Sequence, residues 1–218
     1  MTQIDYAASA EDRSRFFWWL AEWFLAPPGR DALASLAMPA ETDSPSGAMD
    51  SAWRALANAA PDLETDSLDE LGSEFTRLFS GVQESLGPPP PFESVWREDR
   101  LIGESTAQVI AAYAKAGFAE IAPETGPQDH ISAELKFIAL LALREAEAWQ
   151  ADDKTGAHRR LIQQRDFLDQ HLATWAPRWA DAIIELARKP LFAALAGLLK
   201  AGLEQAILEV NDLTRQSA

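Results

Sequence analysis

Cysteine is absent from this chain. Disulfides, thiolate metal sites and a cysteine nucleophile are therefore excluded, and the absence fits a reducing compartment. Histidine is scarce: His130, His158 and His171 are the whole set. A zinc site needs at least three protein ligands, and no His-Glu-x-x-His stretch occurs. None of the three histidines has a glutamate three residues before it, as a di-iron bundle requires. No metal is expected. Glycine-rich phosphate loops and the Gly-x-Ser-x-Gly elbow are missing too, so no cofactor is indicated. Positive charge is in short supply, with 19 Lys and Arg against 34 Asp and Glu for a net −15. That balance speaks against nucleic acid, whose phosphates need clustered cations. The first residues carry no basic segment, and no apolar run approaches the ~18–20 residues of a membrane span. The most apolar stretch, 16–25, is short and contains Glu22. A soluble cytoplasmic protein without membrane insertion is expected.

Hydrophobic residues make up 47% of 218 positions and include eight Trp, enough for a sizeable core. No run of period-two alternation occurs, whereas helical signals recur along the chain. Ser9 with Asp12 reads as the cap of a helix over roughly 10–25, apolar nearly all round and therefore covered. A short helix follows over 31–37, a loop over 39–47 and a helix over 48–59. Ser67-Leu68-Asp69-Glu70 is a capping box for a helix carrying Leu71, Phe75, Leu78 and Phe79. Later helices are expected over 105–117, from Ile131 onward, and over 155–173, 176–188 and 190–214. Pro177 and Pro190 occupy first-turn positions of the last two. The fold class is all-α, a single compact bundle of eight or nine helices over 1–218. Possible halves, 1–118 and 128–218, meet around a hinge.

The long crossing between the helices of 67–79 and 105–117 is unusual. Pro88-Pro89-Pro90-Pro91 fixes φ at four consecutive residues and removes four backbone donors. A stiff polyproline segment delivering Phe92 and Trp96 to a defined place is expected, as a strap over the bundle, a binding surface or both. Beyond it, Asp129 is placed to cap the next helix through the N–H of Ser132. His130 then falls in the first turn, where the helix dipole disfavours its protonated form. His130 and Glu134 share one helix face, so a small helical enzyme using Asp129, His130 and Glu134 stands as one alternative. A purely structural adaptor is another.

Four segments in order resemble a known family: Glu74-Phe75-Thr76-Arg77-Leu78-Phe79, Pro90 to Trp96, Gly103-x-Ser105-Thr106, and Asp129-His130-Ile131-x-x-Glu134-Leu135. The likeness continues through Gln164, Phe167, Leu168, His171, Leu172, Trp175 and Pro177, covering about 70–180. The sequence is similar to the TorD/DmsD family of cytoplasmic redox-enzyme maturation chaperones. The resemblance implies an all-helical non-enzyme that binds the twin-arginine signal peptide, the apo chain, or both, of a molybdopterin oxidoreductase of the dimethyl sulfoxide or trimethylamine N-oxide reductase type. It would support cofactor insertion before export by the Tat pathway. It also implies a monomer or a domain-swapped dimer. Within the superfamily, a nitrate-reductase assembly chaperone acting on the mature enzyme is the rival. Family positions carried over are Phe75, Leu78, Pro91, Phe92, Ser94, Asp129 and His130. Glu93 and Trp96 join them as a carboxylate for arginine and an apolar wall. Phe92 stands where relatives often carry Tyr or Trp.

Overall fold

The computed structural model describes residues 5–34, 36, 47–60, 67–81 and 87–216. Among them the regular structure is helical: α1 (Tyr6–Trp23), α2 (Arg30–Ala34), α3 (Ala48–Asn58), α4 (Leu68–Phe79), α5 (Glu93–Glu98), α6 (Glu104–Ala116), α7 (Ile131–Gln150), α8 (Lys154–Phe167), α9 (Ala173–Leu186) and α10 (Pro190–Gln216). The nine helices read from the sequence each have a counterpart, and α5 is the addition. All of the expected 39–47 loop except Gly47 lies outside the described residues.

One hydrophobic cluster draws on both expected halves. Phe17, Leu20 and Phe24 of the first segment join Ile131, Leu135 and Ile138 of α7, and Trp179, Phe192 and Leu199 further on. α1 lies along α7, α7 packs on α8, and α10 packs on α9 and α3. Two sets of rings stand out. Phe24, Phe75, Phe79, Trp179 and Phe192 meet edge to face or tilted, tying α1, α4, α9 and α10 together. Tyr113, Phe137, Phe167 and His171 form the second, between α6, α7 and α8.

Three sequence expectations need correction. α1 is capped by Asp5, whose carboxylate accepts from the Ala8 N–H at 3.1 Å, so Ser9 lies inside the helix and its hydroxyl reaches Glu209. Asp is as good a cap as Ser, and the alanines after Tyr6 carry the helix on. No break separates α8 from α9. A π-helical turn, Leu168–Leu172, joins them, and Pro177 sits inside α9 rather than opening it. Pro177 cannot donate to the Ala173 carbonyl, and the wide turn just before absorbs the disturbance. α10 is, by length and composition alone, apolar enough to cross a membrane. Here 56% of its most apolar stretch is buried, with Leu191, Phe192, Leu195, Leu198 and Leu199 turned into the core.

Candidate functional site

The proline strap is pinned to the start of α7 by main-chain pairing. Ile131 N–H donates to Pro91 O and Glu93 N–H to Asp129 O, both at 2.9 Å, and Phe92 pairs with His130 as an antiparallel bridge. The indole N–H of Trp96 donates back to Pro90 O at 3.1 Å. Donors scarce in a proline run are thus supplied by the residues that follow it.

Asp129 does not cap α7. Its Oδ2 accepts the Ser94 N–H at 2.8 Å, so it caps α5 from across the fold. α7 is capped by His130, whose Nδ1 accepts the Ser132 N–H at 3.1 Å. His130 is therefore buried in a cap rather than placed in the first turn. Burial, more than any dipole, pushes its pKa down to about 4.

Beneath the strap three carboxylates, Glu93, Asp129 and Glu134, are fully buried. Glu93 is neutralised by Arg97 and hydrogen-bonded at 2.9 Å to His171 Nδ1. Glu134 accepts from the Trp175 indole at 3.3 Å. Burial, then the charges of Glu93 and Asp129, push the Glu134 pKa well above the usual carboxylate range, favouring its neutral form. Ser94 Oγ, Asp129 Oδ1, Ser132 Oγ and Glu134 Oε1 are buried without a hydrogen-bond partner. Among the described residues no set of His, Asp and Glu is arranged to hold a metal ion.

Against this frame, the predicted site residues separate by depth. Phe75, Phe92 and His130 come together on an aromatic-walled cleft of about 230 Å³ with a polar mouth. Leu78, Pro91, Glu93, Ser94 and Asp129 are buried behind it and Trp96 is half-buried on the strap. Contact between a ligand and those buried groups requires the strap to lift. The cleft also takes Phe24, Leu25, Phe79, Ser80, Pro90, Glu124 and Thr125, which the sequence reading left out. Phe79 was legible, being one turn beyond Phe75 on the same face. Glu124 sits in a connector, and only the fold brings it to the rim, half-exposed and 3.3 Å from Lys136.

No converging nucleophile and base is present in this cleft: Asp129 caps a helix and Glu134 faces the bundle interior. What the geometry defines is an all-helical recognition scaffold, with an aromatic-walled cleft set between a proline strap and two helices. The profile of the nitrate reductase delta subunit family matches residues 42–181, and the chain belongs to that family. It is 35% identical over 153 residues to the Tat proofreading chaperone DmsD of Salmonella typhi, covering 69% of this chain and 67% of that one. It is 27% identical over 205 residues to the chaperone protein TorD of Vibrio cholerae serotype O1, covering 89% and 90%. A crystal structure described as a redox enzyme maturation protein from Archaeoglobus fulgidus superposes with a TM-score of 0.51 at 20% identity, over 89% of this chain and 93% of that one; it supports the fold. The family is one of chaperones rather than enzymes, which removes the reading of Asp129, His130 and Glu134 as a catalytic trio.

Proposed function

We propose that this chain is a cytoplasmic maturation chaperone that holds the twin-arginine leader of a molybdopterin oxidoreductase until its cofactor is in place. The observation that carries the proposal is the meeting of Phe75, Phe92 and His130 on one aromatic-walled cleft edged by the half-exposed carboxylate of Glu124. A twin-arginine leader joins two cations to an apolar helix-forming run. The cleft is large enough for one or two apolar side chains of that run, the helix-in-groove mode. Glu124 offers charge-assisted pairing to arginine at the rim. The buried Glu93 and Asp129, assigned that pairing from sequence, act instead as the internal anchor of the strap, and reach a ligand only if the strap opens. Packing of α1 on α7 and α10 on α3 supports treating 5–216 as one unit rather than two halves.

Calorimetric titration with leader peptides of molybdoenzymes encoded beside the gene tests this reading. One leader should bind, and its di-Lys variant should bind at least tenfold more weakly. Phe92→Ala and Glu124→Lys should each cost the complex tenfold or more while leaving the protein folded. Unchanged affinity in both variants would remove the cleft from leader recognition. Absence of binding to every leader, with capture of the full-length oxidoreductase, would favour the assembly branch that acts on the mature enzyme.

A further inference from the structure

On the other side of α5 lies a larger cleft, about 570 Å³, between α6, α8 and the π-helical turn. Its floor is small and apolar, Ala111 and Ala112 of α6 over the Phe137 and Phe167 rings. Its walls are of another kind: Gln108, Gln163 and Gln170 face it, with Arg97 and Lys115. Asp166, the one carboxylate on the rim, is held by Arg165 at 2.7 Å.

The charge here runs against the rest of the molecule. Carboxylates outnumber cations by 34 to 19, so nearly every cation should find a partner. Among the described residues Lys115, Arg144, Arg159 and Arg160 make no ion pair and gather where α6 ends, as Arg30, Arg178 and Arg188 make none elsewhere; of the four, Lys115 lines the cleft and Arg160 reaches it through Gln163. Arg144 and Arg160 both donate to the Ala116 carbonyl, at 3.5 and 3.4 Å, and Arg160 also holds the Gln163 amide oxygen at 2.8 Å. Closing the end of α6, the Phe118 ring under Arg144 and the Gln163 amide against Arg160 leave further guanidinium donors over. Burial first, and then the charges of Arg144 and Arg159, push the Arg160 pKa down.

We infer that this cleft binds an acidic peptide segment in extended form, its carboxylates on Lys115 and on Arg160 beside Gln163, its main-chain amides on the three glutamines. Primary amides match a peptide backbone as both donor and acceptor. A floor of alanines lets a main chain lie close to α6, and the volume suits a few residues. A free inorganic anion would use the cations and the amide N–H donors and leave the glutamine carbonyls without a donor, which a peptide main chain supplies. The inference goes beyond the leader reading and does not depend on it.

The probe is acetyl-Ala-Glu-Glu-Ala-amide, titrated into the full-length protein and followed by amide and glutamine side-chain resonances. Shifts should localise to Gln108, Gln163, Gln170 and residues around Lys115. Lys115→Glu should weaken binding tenfold or more, whereas Lys154→Glu, at another exposed lysine and with the same change in net charge, should not. The Gln-for-Glu peptide should bind at least tenfold more weakly, and leader affinity should be unaltered in Lys115→Glu. Equal binding of the two peptides, equal loss in both lysine variants, shifts elsewhere, or inorganic phosphate binding as tightly as the peptide would each overturn the inference.

Discussion

His130 and Glu134 lie one turn apart at the start of α7 and are driven in opposite directions to the same end, loss of charge. For His130 the folded pKa, about 4, lies below its ordinary 6.5. Protonation therefore favours the unfolded chain, and stability is lost as pH falls from about 6.5 to about 4, by about 3 kcal/mol when complete. His130→Asn keeps a side-chain acceptor at a position where Asn is favoured, and removes the titration. Its unfolding free energy should be nearly flat over that window where the parent falls, as read by urea melts at successive pH values. A parallel fall in both proteins would assign the loss to another group. Glu134 runs the other way: its pKa is raised, so its contribution is lost as pH rises through the folded value. Glu134→Gln keeps an acceptor for Trp175 and carries no charge to desolvate. At pH 8 it should melt at or above the parent temperature, and a drop of several degrees would show that burial does not penalise the Glu134 charge.

Among the elements, the turn between α5 and α6 shows how a short motif is built. Glu98 accepts the backbone N–H of Ser105 at 2.7 Å and of Glu104 at 2.9 Å, together with the Ser105 hydroxyl. Those bonds, the hydroxyl's foremost, hold its pKa at about 2. A Cβ on Gly103 would stand 2.3 Å from the same carboxylate, which explains the glycine in Gly103-x-Ser105-Thr106. Just before it Ile102, two-thirds exposed, takes φ +60°, a conformation that costs a β-branched residue about 1–2 kcal/mol. Ile102→Gly should relieve that strain, less the entropy glycine forfeits, for a net gain of about 0.5–1 kcal/mol in a denaturant melt. Helix existence was legible from the 3.6-residue period, as α4, α7 and α10 show. What escaped were pieces that depend on distant partners. α5 has six residues and no period to read, and it stands on Asp129. The caps of α7 were misassigned because Asp129 and His130 are both acceptors, and only the strap decides which faces inward. The π turn before Pro177 replaced an expected helix break for the same reason, since Leu168 and Leu172 are fully buried and hold the backbone together across it. Leu78, offered as a surface contact, is also fully buried, and Leu78→Ala should cost about 2–5 kcal/mol as a core truncation.

At the scale of the molecule, net charge is −15 and the proposed client leader is cationic. Association should then be steered, with the on-rate for the leader falling several-fold between about 0.05 and 0.5 M salt while the off-rate changes little. A salt-independent on-rate in stopped flow would confine the electrostatics to contact range. The pinning of the strap also has a consequence in time. Asp129, whose carboxylate steadies α5, is made 35 residues after Ser94, and a helix of six residues is far below the ~12–15 that hold unaided in water. During synthesis the prolines and Phe92 leave the ribosome long before their anchor does, so the aromatic-walled cleft is assembled late, by closure of a loop rather than growth of a helix. A nascent chain stopped before residue 129 would hold most of the cleft's side chains and yet lack the cleft.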